Sequence, residues 1–357
     1  MLKLLQVCNA GRITGGTAAC AWTIARSLPG WRHTVAFLSR ISDDTRQAFA
    51  PCEILQWPRV TAAAVAEVAP DVVLLHNTPK GRLDGPLPAV TVQYLHSRID
   101  PAAADLVLYC SRWLAGQYGG DADRVCYQPV PRPVAAGGPP AAVFGATVEH
   151  SPTDAPATAP DRPAGWQPAA TAGWQPAATA GDERLLRTEP VIGRLCTPTP
   201  RKWPPGLIPF YGRLAAQFPA VRWEFVGCPP ALQPALAAAC NGRAEFLPAS
   251  WTARSRLWHW DALLYHHPHV TESFGRVAAE AMRAGCIPIV DARGGFCEQV
   301  VEGCGSLCGD ADDFAAGLER LLAADSRLSM SRAARARADK RFSLARFAAE
   351  FLSRLEM

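Results

Sequence analysis

The run from Thr271 to Val290 constrains this chain more tightly than any other stretch. It reads as a loop, a helix N-terminus, a short amphipathic helix, a glycine stop at Gly285 and a buried strand through Ile287, Ile289 and Val290. Thr271 and Ser273 are of the types that cap helices, and Phe274 and Gly275 fall in or near the first turn, where backbone N–H groups lack partners. Such a helix end carries partial positive charge and accepts an anion such as phosphate. Glu272 precedes the helix and Glu280 lies about two turns into it, so the carboxylates are expected roughly 10 Å apart at ~1.5 Å of rise per residue. A retaining-glycosidase pair needs about 5 Å, so that chemistry is excluded. The spacing suits two carboxylates that grip hydroxyls at either end of a diphosphate, each able to accept two hydrogen bonds from a vicinal diol.

Glu272-x7-Glu280, with Phe274-Gly275 after the first glutamate and Glu280-Ala281-Met282-x-Ala284-Gly285-x-x-Pro288-x-Val290 at the second, resembles the signature of retaining GT-B glycosyltransferases, most closely glycosyltransferase family 4 (group 1). The resemblance implies that Glu272 contacts the donor sugar and Glu280 the ribose.

Elsewhere the composition sets bounds. A chain of 357 residues with 49% hydrophobic and 19% charged residues supports two domains, each with its own core. A net charge of +4 fits anionic small molecules or an acidic membrane surface and is too weak to argue for nucleic acid. No apolar run approaches the ~18 residues of a membrane span, and the apolar start at Met1 to Val7 is too short for a signal peptide, so a cytoplasmic protein is expected. Without a secretory signal, the twelve cysteines are expected to be free thiols. Cys297, Cys304 and Cys308 cluster in sequence but lack the paired spacing or histidine partner of a zinc site, so no metal is expected.

In chain order, Leu2 to Cys8 reads as a strand, followed by a loop with Gly15-Gly16, a helix from about Ala18 to Leu28 and a strand at Thr34 to Leu38. A glycine pair at a strand-to-helix turn lets backbone approach a ligand closely. This loop is neither G-x-G-x-x-G nor a Walker sequence; it resembles the first, cleft-facing loop of the same glycosyltransferases. Further apolar runs of four to six residues alternate with helical stretches, which argues for a parallel sheet covered on both faces. Two of them end in His76 and His96, at the strand ends where open α/β sheets place ligands. His96 matches the family's cleft histidine, near the donor sugar and phosphate. His76 reads as a loop residue or one standing behind the site.

From about Ala135 to Thr188 the chain turns rich in Ala, Pro, Gly and Thr and holds a perfect tandem repeat, residues 164–171 and 172–179. Two Pro-rich copies of eight residues are too few for a solenoid, so a disordered insertion at the domain boundary is expected. Beyond it, Gly193-Arg194 ends a strand, and Arg201-Lys202 follow. Three cations within nine residues suit a diphosphate and resemble the family's Gly-Arg-x-x-x-x-Lys clamp. The loop is longer than usual, which leaves open whether Arg201 or Lys202 gives the second cation; Arg194 with Lys202 is the preferred pair. Arg293 to Glu298, with Gly294-Gly295, resembles the loop that closes over the donor phosphates. The basic last helix is expected to return to the first domain, with at most weak peripheral contact to anionic lipid.

The fold class expected is therefore α/β, GT-B: two Rossmann-like domains with parallel sheets facing an interdomain cleft. The boundaries are 1–135 for the acceptor-side domain, 136–188 for the insertion, 189–340 for the nucleotide-sugar-binding domain and 341–357 for the terminal helix. The resemblance implies a metal-independent, retaining hexosyltransferase with no cofactor beyond its donor substrate, a nucleotide diphosphate sugar, and a glycan, lipid-linked or small-molecule acceptor. Glu272, His96, Arg194 and Lys202 are the catalytic candidates; Gly15, Gly16, Phe274, Gly275, Glu280 and Arg201 are the donor-binding ones. Two other readings stand beside this one: a sugar-nucleotide-binding protein without turnover, and a sugar-nucleotide epimerase or phosphorylase of the same fold.

Overall fold

The computed structural model describes residues 1–133 and 187–355; the expected insertion, with its tandem repeat, lies outside the described residues apart from its last two. The first domain is built on a parallel sheet. Its strands are β1 (Lys3–Cys8), β2 (Arg32–Phe37), β3 (Glu53–Gln56), β5 (Val72–His76), β7 (Val90–Leu95) and β8 (Leu106–Tyr109), in the order β3-β2-β1-β5-β7-β8. Two-residue strands β4 (Val60–Thr61) and β6 (Leu83–Asp84) pair separately. The second domain repeats the plan with β9 (Val191–Leu195), β10 (Arg222–Val226), β11 (Ala244–Leu247), β12 (Ala262–Tyr265), β13 (Ile287–Asp291) and β14 (Ser306–Cys308), ordered β11-β10-β9-β12-β13-β14. The apolar runs legible in the sequence become these strands because helices cover both faces; β5, β12 and β13 are buried along their whole length.

In each sheet the order reverses beside the first strand, between β1 and β5 and between β9 and β12. At such a switch point the two following loops part in opposite directions and leave a crevice at the carboxyl ends of the strands. The loop after β1 ends at Gly15 with Gly16 opening the next helix, and β5 ends in His76; the connections after β9 and β12 carry Lys202 and Glu272.

Between the domains runs the segment Cys126–Pro133, and almost every residue of it is tied to something else. The Cys126 carbonyl accepts from Tyr94 Oη (2.6 Å), Tyr127 Oη donates to Glu298 (2.9 Å), and the Pro129 carbonyl accepts from Arg276 (2.9 Å). Val130 N donates to the Phe342 carbonyl (2.8 Å), and Arg132 pairs with Asp339 (2.7 Å). The Pro133 carbonyl accepts from the Trp258 indole (2.6 Å), and on the other side of the undescribed residues Arg187 donates to the carbonyl of His259 (3.3 Å). The helix Ala324–Phe342 ends at Ser343, whose hydroxyl caps the helix Leu344–Arg354. That last helix packs on the first-domain helix Gly16–Ser27, and Arg354 donates to the carbonyls of Asp123 (3.0 Å) and Val125 (2.6 Å).

The second core is organised around Trp260, which is fully buried. Its indole N–H donates to Glu224 (2.8 Å), and Arg256 holds the same carboxylate by a two-pronged bond. Gly193 in β9 lies directly under this indole, and a Cβ there would run into the ring. Overpacking of this kind costs about 1–3 kcal/mol. Gly193→Ala is expected to lower unfolding stability by about that amount, read from the midpoint of a urea titration at unchanged slope.

Candidate active site

Glu272 stands in the loop after β12 and is 22% exposed at its side chain. Its Oε1 accepts from both Lys202 Nζ and Tyr265 Oη. Burial alone would raise its pKa. The charge of Lys202, the bonds from Lys202 and Tyr265, and the charge of Arg201 overcome that and hold the carboxyl below its ordinary value. The sequence-predicted pair Glu272 and Lys202 is thus brought into direct contact. Arg201 next to it is exposed at the rim, and its carbonyl accepts from His267 Nε2 (2.7 Å). His267, whose Nδ1 takes the backbone N–H groups of His269 (3.1 Å) and Val270 (2.8 Å), pins the long loop after β9 to the loop after β12.

Arg194 has a different task from the one its spacing suggests. It is 1% exposed; its NH1 donates to the His266 carbonyl (2.8 Å) and its NH2 to the Lys202 carbonyl (2.9 Å). Its guanidinium also lies over Trp203 and Tyr265, at 5.0 and 4.8 Å from the ring centroids. With its terminal nitrogens on backbone carbonyls, Arg194 holds the Lys202 loop in place from beneath.

The helix of the central motif begins at Arg276 and ends at Arg283, and its N-cap is Gly275, with no side-chain cap bond. Thr271 and Ser273 therefore do not cap it. Gly275 adopts φ +79°, and a Cβ would strike the Phe296 ring, so both conformation and space require glycine. Phe274 is buried between Tyr127 and Phe342 as part of the interdomain packing. Glu280 is the fifth residue of the helix, closer to its start than the two turns expected, and is buried. Two arginines hold it: Arg276 Nε on Oε1 (2.8 Å) and Arg254 Nε on both oxygens (3.1 Å each). Arg254 also lies over Trp251, 4.2 Å from the ring centroid, and Trp251 meets Trp22 of the first domain edge-on at 5.1 Å. Neither arginine was singled out by the sequence pattern.

On the first-domain side, His96 follows β7, and His76 is the completely buried last residue of β5, not a loop residue. Their rings are nearly coplanar and meet edge to edge, with planes 3° apart and centroids 5.2 Å apart, and His76 Nδ1 lies 3.0 Å from His96 Nε2. The hydrogen-bond chain assigns both tautomers. Gln6 Nε2 donates to the Ala21 carbonyl (3.1 Å), so Gln6 Oε1 accepts from His76 Nε2 (2.9 Å). His76 Nδ1 is then bare and accepts from His96 Nε2, and His96 Nδ1 accepts from Gln128 Nε2 (2.8 Å). Both imidazoles are neutral. Burial, with the Arg276 charge adding to it, pushes the His96 pKa down to about 3; burial and His96 hold His76 well below its ordinary value. Asn77, in the left-handed conformation at φ +53°, accepts from the backbone N–H groups of His96 (3.0 Å) and Ser97 (3.1 Å).

Cys20, His76 and His96 offer metal-ligand atoms within 4.8 Å of one another. The ring nitrogens are all engaged in the chain just described, and burial raises the Cys20 thiol to about 12. All twelve cysteines are free thiols. Gly15 is the N-cap of the helix Gly16–Ser27, and Gly16 is exposed, with no described residue where a Cβ would stand.

The loop Arg293–Glu298 is built differently from expectation. A Cβ on Gly294 would meet the Glu272 carbonyl and one on Gly295 the Ser273 carbonyl, and Gly295 N donates to the Glu272 carbonyl (2.9 Å). The glycine pair lets this loop lie on the backbone of Glu272 to Phe274, so its close approach is to protein. Glu298 then reaches the first domain, where its carboxylate takes the N–H groups of Arg112 (2.8 Å) and Trp113 (2.7 Å) at the start of the helix Arg112–Gly116. No signal in the local sequence marks that long-range cap.

Residues 199–338 match the family model described as glycosyl transferases group 1. The second domain therefore carries that family's sequence pattern, as the central motif suggested. No curated protein sequence matches the chain significantly. Among solved structures, HepE of Anabaena in complex with UDP-glucose is similar over 100% of both chains, with a TM-score of 0.67 and 18% identity. Sucrose-phosphate synthase of Thermosynechococcus elongatus is similar over 100% of this chain and 98% of its own, at 0.64 and 14%. A glycosyltransferase of Rickettsia africae covers 99% and 98%, at 0.64 and 13%. At these identities the likeness is one of fold, and the fold is GT-B. Among the described residues no helix is long and apolar enough to cross a membrane.

The Lys202–Glu272 pair gives a direct test of the electrostatics. In Lys202→Met the largest opposing charge is gone and burial is left to act. The Glu272 carboxyl, which in the unaltered protein titrates below the ordinary carboxylate range, is then expected to titrate at higher pH. Because its folded pKa is depressed, its stabilising contribution is present above the unfolded pKa and lost as the pH falls through the folded one. The variant is therefore expected to lose stability mainly at neutral pH and little in acid, checked by carbon-13 NMR titration and by denaturation at both pH values.

Proposed function

We propose that this protein, a GT-B chain whose residues 199–338 match the group 1 glycosyl transferases, transfers a hexose from a nucleotide diphosphate sugar to an acceptor hydroxyl with retention of anomeric configuration. The observation that carries the reading is that the start of the helix Arg276–Arg283, which follows Glu272 with its Lys202 partner, meets the first domain beside His96: Arg276 holds the Pro129 carbonyl, and the preceding residue, Gln128, donates to His96.

In this reading the second domain holds the donor. Glu280 accepts a ribose hydroxyl; Arg276 and Arg254 occupy Oε1, and Arg254 takes one of the two lone pairs of Oε2, which leaves the other for the sugar. Glu272 orients the sugar. Lys202 and the unpaired N–H groups at the first turn of the helix Arg276–Arg283 meet the charge that develops on the departing diphosphate, which is the main electrostatic demand of the reaction. The leaving phosphate takes the acceptor proton, so no side-chain nucleophile is required, and the cations supply the charge for which other transferases use a metal ion. His96, with both ring nitrogens occupied and its ring neutral, acts as a fixed wall of the sugar site and not as an acid or base. Gly15 and Gly16 leave room for donor or acceptor against bare backbone. UDP-glucose, bound in the HepE structure, is the first donor to test.

The experiment is a panel of nucleotide sugars assayed for released nucleoside diphosphate with and without acceptors, and NMR of the product for its anomeric configuration. Release with retention supports the reading; binding without release, or interconversion of the sugar, favours a binding protein or an epimerase. Glu272→Gln is expected to lower kcat by at least about tenfold while leaving affinity for the free nucleoside diphosphate within a few-fold, because a contact made to the sugar in the transition state acts on kcat. Glu280→Gln is expected to weaken donor and free nucleotide alike, by about 1–3 kcal/mol, measured by calorimetry.

A further inference from the structure

The buried charges around Glu280 do not balance. Arg254 and Arg276 share one carboxylate, with side chains 13%, 8% and 3% exposed for Arg254, Arg276 and Glu280. The Lys202–Glu272 pair is neutral in sum, and His76 and His96 are neutral by their tautomers. One positive charge is therefore left in the closed interface without a counterion among these groups. A buried charge is costly unless paired and hydrogen-bonded. Arg276 shows where the surplus sits. Its Nε is on Glu280 and its NH1 on the Pro129 carbonyl, whereas NH2 is buried and has no hydrogen-bond partner. It is also the first residue of its helix, where the backbone N–H groups have no helical acceptor and the dipole favours an anion.

We infer that Arg276 binds the diphosphate of the donor through its side chain, with Arg254 behind it keeping Glu280 in place, so that Arg276 takes the part the spacing had given to Arg194. The assignment rests on the nucleotide-sugar reading above. A nucleotide diphosphate sugar carries two negative charges, which the surplus charge and the helix terminus together meet. The guanidinium forks onto phosphate oxygens as it does onto a carboxylate. Its bond to the Pro129 carbonyl also ties the bound diphosphate to the segment that joins the domains.

The test is calorimetry with UDP, ADP and GDP on the full chain, followed by Arg276→Met in the wild-type and Glu280→Gln backgrounds. Loss of a charge-assisted contact to phosphate is expected to weaken binding by about 10- to 100-fold in both backgrounds. A loss that vanishes in the Glu280→Gln background would mean that Arg276 acts only by holding Glu280, and overturns the assignment; unchanged affinity in Arg276→Met does the same. Should the methionine variant not fold, Arg276→Lys keeps the charge without the fork. It is expected to lose about three- to tenfold, and wild-type affinity in it overturns the assignment. A wild-type protein that binds none of the three nucleotides sinks the nucleotide-sugar reading itself, and this inference with it.

Discussion

The two domains of this protein meet across a buried surface, but what fixes their relation is the hydrogen bonding of one extended segment. From Cys126 to Pro133 the chain alternates its partners. Tyr94 and His96 hold it on the first-domain side, Arg276, Glu298 and Trp258 on the second, and Phe342 and Asp339 along the terminal helices. A segment outside a sheet leaves its backbone groups to be satisfied one at a time, and here the side chains of Tyr94, Arg276 and Trp258 and the carbonyl of Phe342 meet that obligation. Gln128 faces His96 while the next carbonyl, Pro129, takes Arg276. The position of one domain against the other and the arrangement of the site are set by the same bonds.

A second consequence is that several residues with the chemistry of ligands are used as scaffold. Arg194 saturates carbonyls under the Lys202 loop, and His76 serves to orient His96. Gly294 and Gly295 permit one loop to lie on another. Each supports a neighbour that faces the interface. This division of labour places the charged side chains of the site on rigid supports, which is what electrostatic preorganisation requires.

How much of this was legible in the sequence follows from the range of the interactions. Most strands were legible because each is a short run rich in apolar residues; the edge strands β3 and β14, short and partly exposed, were not. The motif from Thr271 to Val290 was legible because its residues act within one loop and one helix turn. What escaped were bonds between distant segments: Glu298 to Arg112 and Trp113, His267 to the Arg201 carbonyl, and Arg254 to Glu280. Local pattern carries no information on which carbonyl a buried guanidinium will find, so Arg194 could be located at the right strand end and still be given the wrong partner. The helix start was misplaced for a similar reason, since Thr271 and Ser273 have capping side chains but Gly275 has the conformation.

The anchoring of Pro133 by Trp258 and of Arg187 by the adjacent His259 bears on how this protein varies over time. The chain departs from the domain boundary and re-enters it at neighbouring points, both fixed by the second domain itself. With both ends held by the second domain, the entropic cost of closing a longer connection between them grows only as the logarithm of its length. An exact duplication such as that of residues 164–171 therefore adds little to the entropic cost of closing the connection. The place where this sequence is free to lengthen, repeat or acquire a new recognition element is fixed by two hydrogen bonds.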